Sequence, residues 1–186
     1  MILVIDTSSP SRSCLATIDG ETTEEHFSSR FTLDELRRLV EGRPVTKVAV
    51  ATGPGSFTSL RVGVSFGLGL AMGMHIPIVP LPTLDLQSAR SEEPVTAVVD
   101  AGRGRYYFKT PGGQARLGSP AEIPTGHSLV GNVGDDRPLV AAGHHLKPET
   151  ELRSFVEAAR TLLETAPEVP YRKLEIEYMQ SFSRKA

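Results

Sequence analysis

VTKVAVATGPGSFTSLRVGVSFGLGLAMGM, residues 45–74, is the stretch on which the reading of this chain turns. Residues 45–51 form an apolar strand. Gly53 and Gly55 then permit a sharp turn, Ser56 or Thr58 supplies an oxygen to cap a helix, and a long apolar helix follows over 58–74. Inside it Gly63, Gly67, Gly69 and Gly73 each cost about 1 kcal/mol relative to alanine. Some close contact must offset that cost. Gly63 with Gly67, and Gly69 with Gly73, fall one turn apart, so bare backbone on one face lets a neighbour approach. That neighbour is either the protein's own sheet or a second chain.

Working towards the N-terminus, residues 2–5 are an uninterrupted apolar run ending in Asp6, Thr7, Ser8 and Ser9, as expected of a buried strand opening into a polar turn. A second strand covers 13–18, Asp19-Gly20 signals a hairpin, and 21–27 returns antiparallel. Thr32 and Glu35 make a capping box for a short helix with Leu33, Leu36 and Val40 on one face and Gly42 beyond its end. Towards the C-terminus come a strand over 76–81, a short helix over 83–90 capped by Thr83, and a linker over 91–94. The linker divides the chain into an N-terminal lobe, 1–93, and a C-terminal lobe, 94–186.

The second lobe opens as the first does: TAVVDAGRGRYYFKT is an apolar strand ending in Asp100, a turn, and an antiparallel strand. Duplication of one unit predicts this, with both strand-end aspartates facing a shared cleft. Residues 115–138 carry only weak signals, 149–165 read as an amphipathic helix with Leu152, Phe155, Val156, Ala159 and Leu163 on one face, and the tail from Tyr171 reads as extended.

Composition narrows the function classes. With 186 residues, 39% of them apolar and 23% charged, the chain is a folded globular protein. A net charge of −2 without any Lys/Arg run gives no general attraction for nucleic acid. The single cysteine, Cys14, cannot close an internal disulfide and fits a buried thiol in a reducing compartment. The N-terminus lacks a signal-peptide pattern, and the apolar stretch 62–74 falls short of the roughly 20 residues that span a bilayer, so a cytoplasmic protein with no membrane contact is expected.

Neither the P-loop spacing nor GxGxxG is present, and Ser56 in GPGSF is not a hydrolase nucleophile elbow. His26, His75 and His127 are scattered and His144-His145 are adjacent, so no metal site is expected. Asp6 and Asp100, with the hydroxyls of Thr7, Ser8 and Ser9, would flank a nucleotide or metal cleft. They fit equally the ordinary use of Asp, Ser and Thr, which is to bond their own turns.

Three blocks, ILVIDTSS, GPGSFTSLRVGVSFGLGLAMGMHIPIVPLPTL and VVDAGRGRYYF, lie in the order and spacing of the TsaB (YeaZ) family, which the first 110 residues resemble. The resemblance implies an α/β chain with a duplicated actin/sugar-kinase-like (RNase H-like) fold of two small lobes, the second reduced. It implies a non-catalytic subunit of the machinery that makes threonylcarbamoyladenosine (t6A) in tRNA, docked on a TsaD-like catalytic subunit through a helix–helix interface. A TsaE-like ATPase would join the pair, tRNA would be met only through the complex, and the chain alone would be a homodimer. It would need no cofactor of its own, ATP and magnesium belonging at the complex interface. Mapped by position, Arg61, Gly63, Val64, Gly67, Leu70, Ala71 and Met74 of the long helix and Leu36 and Val40 of the short one would bind the partner. Asp6, Thr7, Ser8 and Asp100 would be a vestigial nucleotide cleft. The alternative is an ATP-dependent sugar-kinase-like phosphotransferase of the same fold, although the late glycine-rich adenosine loop of such kinases has no counterpart in the sequence. A peptidase is less well supported, because paired helical histidines are lacking.

Overall fold

Strand β1 (Ile2–Asp6) pairs antiparallel with β2 (Ser13–Asp19) on one side and parallel with β4 (Lys47–Gly53) on the other. Helices cover both faces of the sheet at this point, so Leu3, Val4 and Ile5 are all buried and the sequence runs apolar without alternation. The computed structural model describes residues 1–29 and 32–179. β3 (Thr22–Ser28) returns along β2 from the turn at Gly20, whose φ of 61° suits glycine, and as an edge strand it carries the polar pattern seen in the sequence. β5 (Ile78–Pro82) pairs parallel with β4 and completes the order β3-β2-β1-β4-β5. Its position at the sheet edge is what makes its prolines tolerable.

The second sheet repeats the pattern. β6 (Thr96–Gly102) pairs antiparallel with β7 (Arg105–Lys109) and parallel with β9 (Leu129–Asn132), and β8 (Arg116–Gly118) lies antiparallel on β7. The order β8-β7-β6-β9 matches β3-β2-β1-β4 strand for strand, and the counterpart of β5 is missing among the described residues. The molecule is therefore a mixed α/β protein on a duplicated plan with a reduced second unit.

Helix α1 (Leu33–Val40) starts at the capping box read from the sequence: the Thr32 hydroxyl accepts from the Glu35 N–H at 3.2 Å and the Glu35 carboxylate from the Thr32 N–H at 2.8 Å. It lies with α2 (Phe57–Met74) over the face formed by Leu3, Ile5, Leu15, Val48 and Val50. Val4, Cys14, Ala16, Ala49 and Val79 point to the opposite face, the two-residue alternation of a strand. Burial pushes the Cys14 thiol well above its usual range, so it stays protonated and inert, as its apolar surroundings in the sequence imply.

Several expectations are revised. Thr83 is the first residue of α3 (Thr83–Ser88) rather than its cap, and its hydroxyl instead accepts from the Gly53 N–H at 3.1 Å, tying the end of β4 to the helix. The helix anticipated over 149–165 is a 3-10 turn at Glu149–Glu151 followed by α5 (Phe155–Leu163), which is started by a second capping box between Ser154 and Glu157. At the break Leu152 is extended and Ser154 is non-helical, and buried Arg90 holds both sides of it, Nη2 to Glu149 Oε2 at 2.5 Å and Nε donating to the Arg153 carbonyl at 3.2 Å. The thinly marked region contains β8, a 3-10 turn at Pro120–Glu122, β9 and α4 (Arg137–Ala141).

The chain then comes back. Phe155, Val156, Ala158 and Ala159 of α5 fill the first sheet's core beside Cys14 and Ala16, and Val169, Tyr171, Leu174 and Ile176 pack on its other face. A division after Glu93 separates the two sheets in sequence, but residues 155–176 belong by packing to the first of them. Of the tail expected to be extended, residues 180–186 lie outside the described residues.

Candidate functional site

α2 carries a single charge, Arg61, along 18 residues, and by length and composition it could cross a membrane. One face is nevertheless committed to the protein's own sheet. Leu60, Gly63, Val64, Gly67 and Ala71 are buried, spaced as one helical face requires. A Cβ on Gly63 would run into the Thr7 hydroxyl, with Thr7 Cβ at 3.1 Å; one on Gly67 would run into Val50 Cγ1, with Ile5 Cδ1 and Val48 Cγ1 each at 3.3 Å. These two glycines let the helix lie flush on β1 and β4. The Thr7 hydroxyl fixes the register by donating to the Ser59 carbonyl at 2.6 Å.

Gly63, Val64, Gly67 and Ala71 face inward onto the protein's own sheet, and the contact that offsets the cost of the two glycines is internal. Leu36, Val40 and Leu70 are half-buried against the same core. Arg61 and Met74 are exposed.

The other glycine pair is different. Gly69 and Gly73 are exposed, and a Cβ at either would meet nothing within 4 Å. They share the outer surface with Val62, 60% exposed, Ser65, and Met72, 51% exposed. The result is an uncharged stripe of small and apolar groups beyond Arg61, ended by His75 in the left-handed conformation at φ 56°. Sequence reasoning passed over Val62, Ser65 and Met72, although their spacing from Gly69 was available.

The strand-end aspartates behave alike. Asp6 Oδ1 accepts from the Ser8 N–H at 2.7 Å and Asp100 Oδ1 from the Gly102 N–H at 2.6 Å, each carboxylate closing its own turn. Asp6 is buried, and desolvation raises its pKa despite the bonds from Ser8. Between the lobes lies a cleft of about 370 Å³ walled by Gly55, Ser56, Phe57, Asp100, Tyr107, Glu177 and Tyr178. Asp100 lines it, whereas Asp6, Thr7 and Ser8 do not. Among the described residues the wall holds two carboxylates, Asp100 and Glu177, and no Lys or Arg, and it includes the N-terminus of α2 at Ser56 and Phe57. Among the described residues no three His, Cys, Asp or Glu side chains gather where a metal ion could be held.

With the two-sheet topology and α2 in place, comparison with known proteins separates the possibilities. The profile of the family described as "TsaD: tRNA N6-adenosine threonylcarbamoyltransferase" matches residues 37–129, half of the chain. The chain belongs to this TsaD family, in its TsaB (YeaZ) branch. Within that branch it is 36% identical to the tRNA threonylcarbamoyladenosine biosynthesis protein TsaB of Haemophilus influenzae over 34% of this chain and 29% of the relative. It is 25% identical to TsaB of Bacillus subtilis over 73% and 62% of the two chains, and 30% identical to TsaB of Escherichia coli over 58% and 53%. The matches thus span between 29% and 62% of the length of these curated TsaB relatives. Among solved structures, a Pseudomonas aeruginosa protein described as similar to peptidase YEAZ superposes with a TM-score of 0.72 at 18% identity, over 96% of this chain and 99% of that one. YeaZ from Pseudomonas aeruginosa gives 0.69 at 17% identity over the same shares, so the TsaB-branch fold holds across nearly the whole chain.

Proposed function

We propose that the chain is a non-catalytic subunit in the formation of t6A in tRNA, and that it holds a TsaD-like catalytic subunit against the outer face of α2. The observation that carries the reading is the helix itself. It is apolar enough for a membrane, has only 28% of its residues buried, and presents Val62, Gly69, Met72 and Gly73 to solvent with no charge among them. A surface helix of a solitary globular protein places charged and polar residues there. Small residues along such a stripe let a second helix approach closely, and exposed Val and Met supply the apolar area that association requires.

In this reading the cleft between the lobes does no chemistry. Asp100 and Asp6 close turns, and any nucleotide and magnesium that the process needs belong with the catalytic subunit at the shared interface. A TsaE-like ATPase joins the assembly and tRNA is reached only through it. The same apolar stripe pairs two copies of the chain when the catalytic subunit is missing.

The test is nucleoside analysis of bulk tRNA from bacteria that depend on this chain in place of their own TsaB. The chain restores t6A, whereas Met72→Glu, which places a carboxylate in the interface, does not although it folds. Full t6A with Met72→Glu overturns the docking surface, and failure of the unaltered chain to restore any t6A overturns the assignment of function.

A further inference from the structure

α2 is a poor helix on its own terms. Four glycines lower its intrinsic helix propensity, its N-cap residue Ser56 makes no capping bond with its side chain, and neither its first nor its last turn carries a charge that complements the helix dipole. The sheet holds its inner face only. Besides the Thr7 hydroxyl on the Ser59 carbonyl at its first turn and the His75 and Ile76 N–H groups on Met72 and Ala71 at its last, both ends meet one short segment from the far end of the chain.

Residues 169–179 run beside α2 from its C-terminus back to its N-terminus. Val169 bridges to Ile78 at the edge of β5, its N–H donating to the Ile78 carbonyl at 3.0 Å. The Tyr171 hydroxyl then sits within hydrogen-bond reach of the Ala71 carbonyl in the last turn of α2, at 3.1 Å, and of the Ile76 carbonyl two residues beyond the helix, at 2.8 Å. Leu174 and Ile176 pack into the core beneath the helix. The Glu177 N–H donates to the Thr52 carbonyl at 2.8 Å, and its own carbonyl comes so near Gly53 that a Cβ there would lie 2.9 Å away. Finally the Tyr178 ring meets that of Phe57, the first residue of α2, with centroids 5.1 Å apart and planes tilted by 44°.

We infer that residues 169–179 are a strap that clamps α2 at both ends and keeps its outer face straight and ordered for docking, with Tyr171 and Tyr178 as positioning residues. A helix whose intrinsic stability is low would otherwise fray at its ends, and a partner would have to bear the entropy of ordering it on binding. The strap meets that cost within the monomer. Its consequence for docking rests on the function proposed above; its consequence for the isolated chain does not.

Hydrogen exchange of the isolated full chain, followed by mass spectrometry over residues 57–76, tests the clamp, with affinity for a purified TsaD-family subunit measured alongside. Tyr171→Phe keeps the ring and removes the hydroxyl, and Tyr178→Ala removes the second ring. Exchange should quicken about fivefold near Ala71 in the first and near Phe57 in the second, as expected for the loss of one ordinary contact. The affinity should weaken by a similar factor in each. Unchanged exchange in both variants overturns the strap. Quickened exchange with unchanged affinity supports the strap and overturns α2 as the docking helix.

Discussion

Exchanging glycine for alanine at the two pairs along α2 should have opposite effects on stability. At Gly69 and Gly73 an added methyl meets nothing within 4 Å, so each substitution gains the helix propensity of alanine without a clash. That is about 1 kcal/mol per site, or about 2 kcal/mol for the double variant. In a chain of this size the melting temperature should rise by roughly 4–8 °C. At Gly67 the same propensity is gained, but the methyl is driven against Val50 and crowds Ile5 and Val48 at 3.3 Å, three side chains locked in the sheet. Overpacking of this kind costs about 1–3 kcal/mol, so Gly67→Ala should leave the protein between unchanged and about 2 kcal/mol less stable. Calorimetry and urea titration of the three proteins measure both signs. Docking should move against stability in the double variant, because two methyls on the outer stripe hold a second helix off. If Gly67→Ala is stabilised as much as Gly69→Ala, the inner face of α2 has been misassigned and the reasoning fails.

Asp6→Asn keeps an oxygen for the Ser8 N–H and removes a buried charge. Because folding raises the Asp6 pKa, the native state binds its proton more tightly, and this carboxyl lowers stability progressively as pH climbs from its unfolded pKa through the folded one. The variant should therefore be more stable than the parent in urea titrations at neutral pH and should lose that advantage near pH 4; an advantage independent of pH would refute the burial argument. Ser154→Ala should cost about 1 kcal/mol by removing the cap of α5, read as a lowered urea midpoint with unchanged slope. Gly131→Ala should be far worse, since its Cβ would strike the Val98 carbonyl within the β6–β9 pairing; soluble expression with a native melting curve would contradict that register.

What the sequence made legible follows from which signals are local. β1, β2, β4 and the β6–β7 hairpin were readable because buried apolar runs bounded by Asp-Gly or Gly-rich turns have few alternatives, and Thr32 with Glu35 announced α1 through contacts three residues apart. The break before α5 was not anticipated, and Arg90, which holds Glu149 on its near side, lies 59 residues earlier in the chain. The capping box at Ser154 and Glu157 was present in the sequence and would have placed the helix start correctly. β8, β9 and α4 are short and take their order from neighbours rather than from their own pattern. For α2, the glycines pointed to close approach, but only the sheet decides which pair is approached from within. Leu60, Val64, Gly67 and Ala71 share a helical face with Gly63, and that apolar periodicity could have assigned Gly63 and Gly67 to the interior. The strap was beyond reach, since nothing in Tyr171 or Tyr178 alone indicates the two ends of a helix about 100 residues earlier.

The central claim, that the uncharged outer stripe of α2 seats a TsaD-like subunit, is tested most directly by titration calorimetry of that purified subunit against the unaltered chain and against Met72→Glu. The account predicts saturable one-to-one binding that weakens at least about a hundredfold when an unpaired carboxylate is forced into the interface, with the melting curve of the isolated variant unchanged. Equal affinity for the two proteins would contradict it.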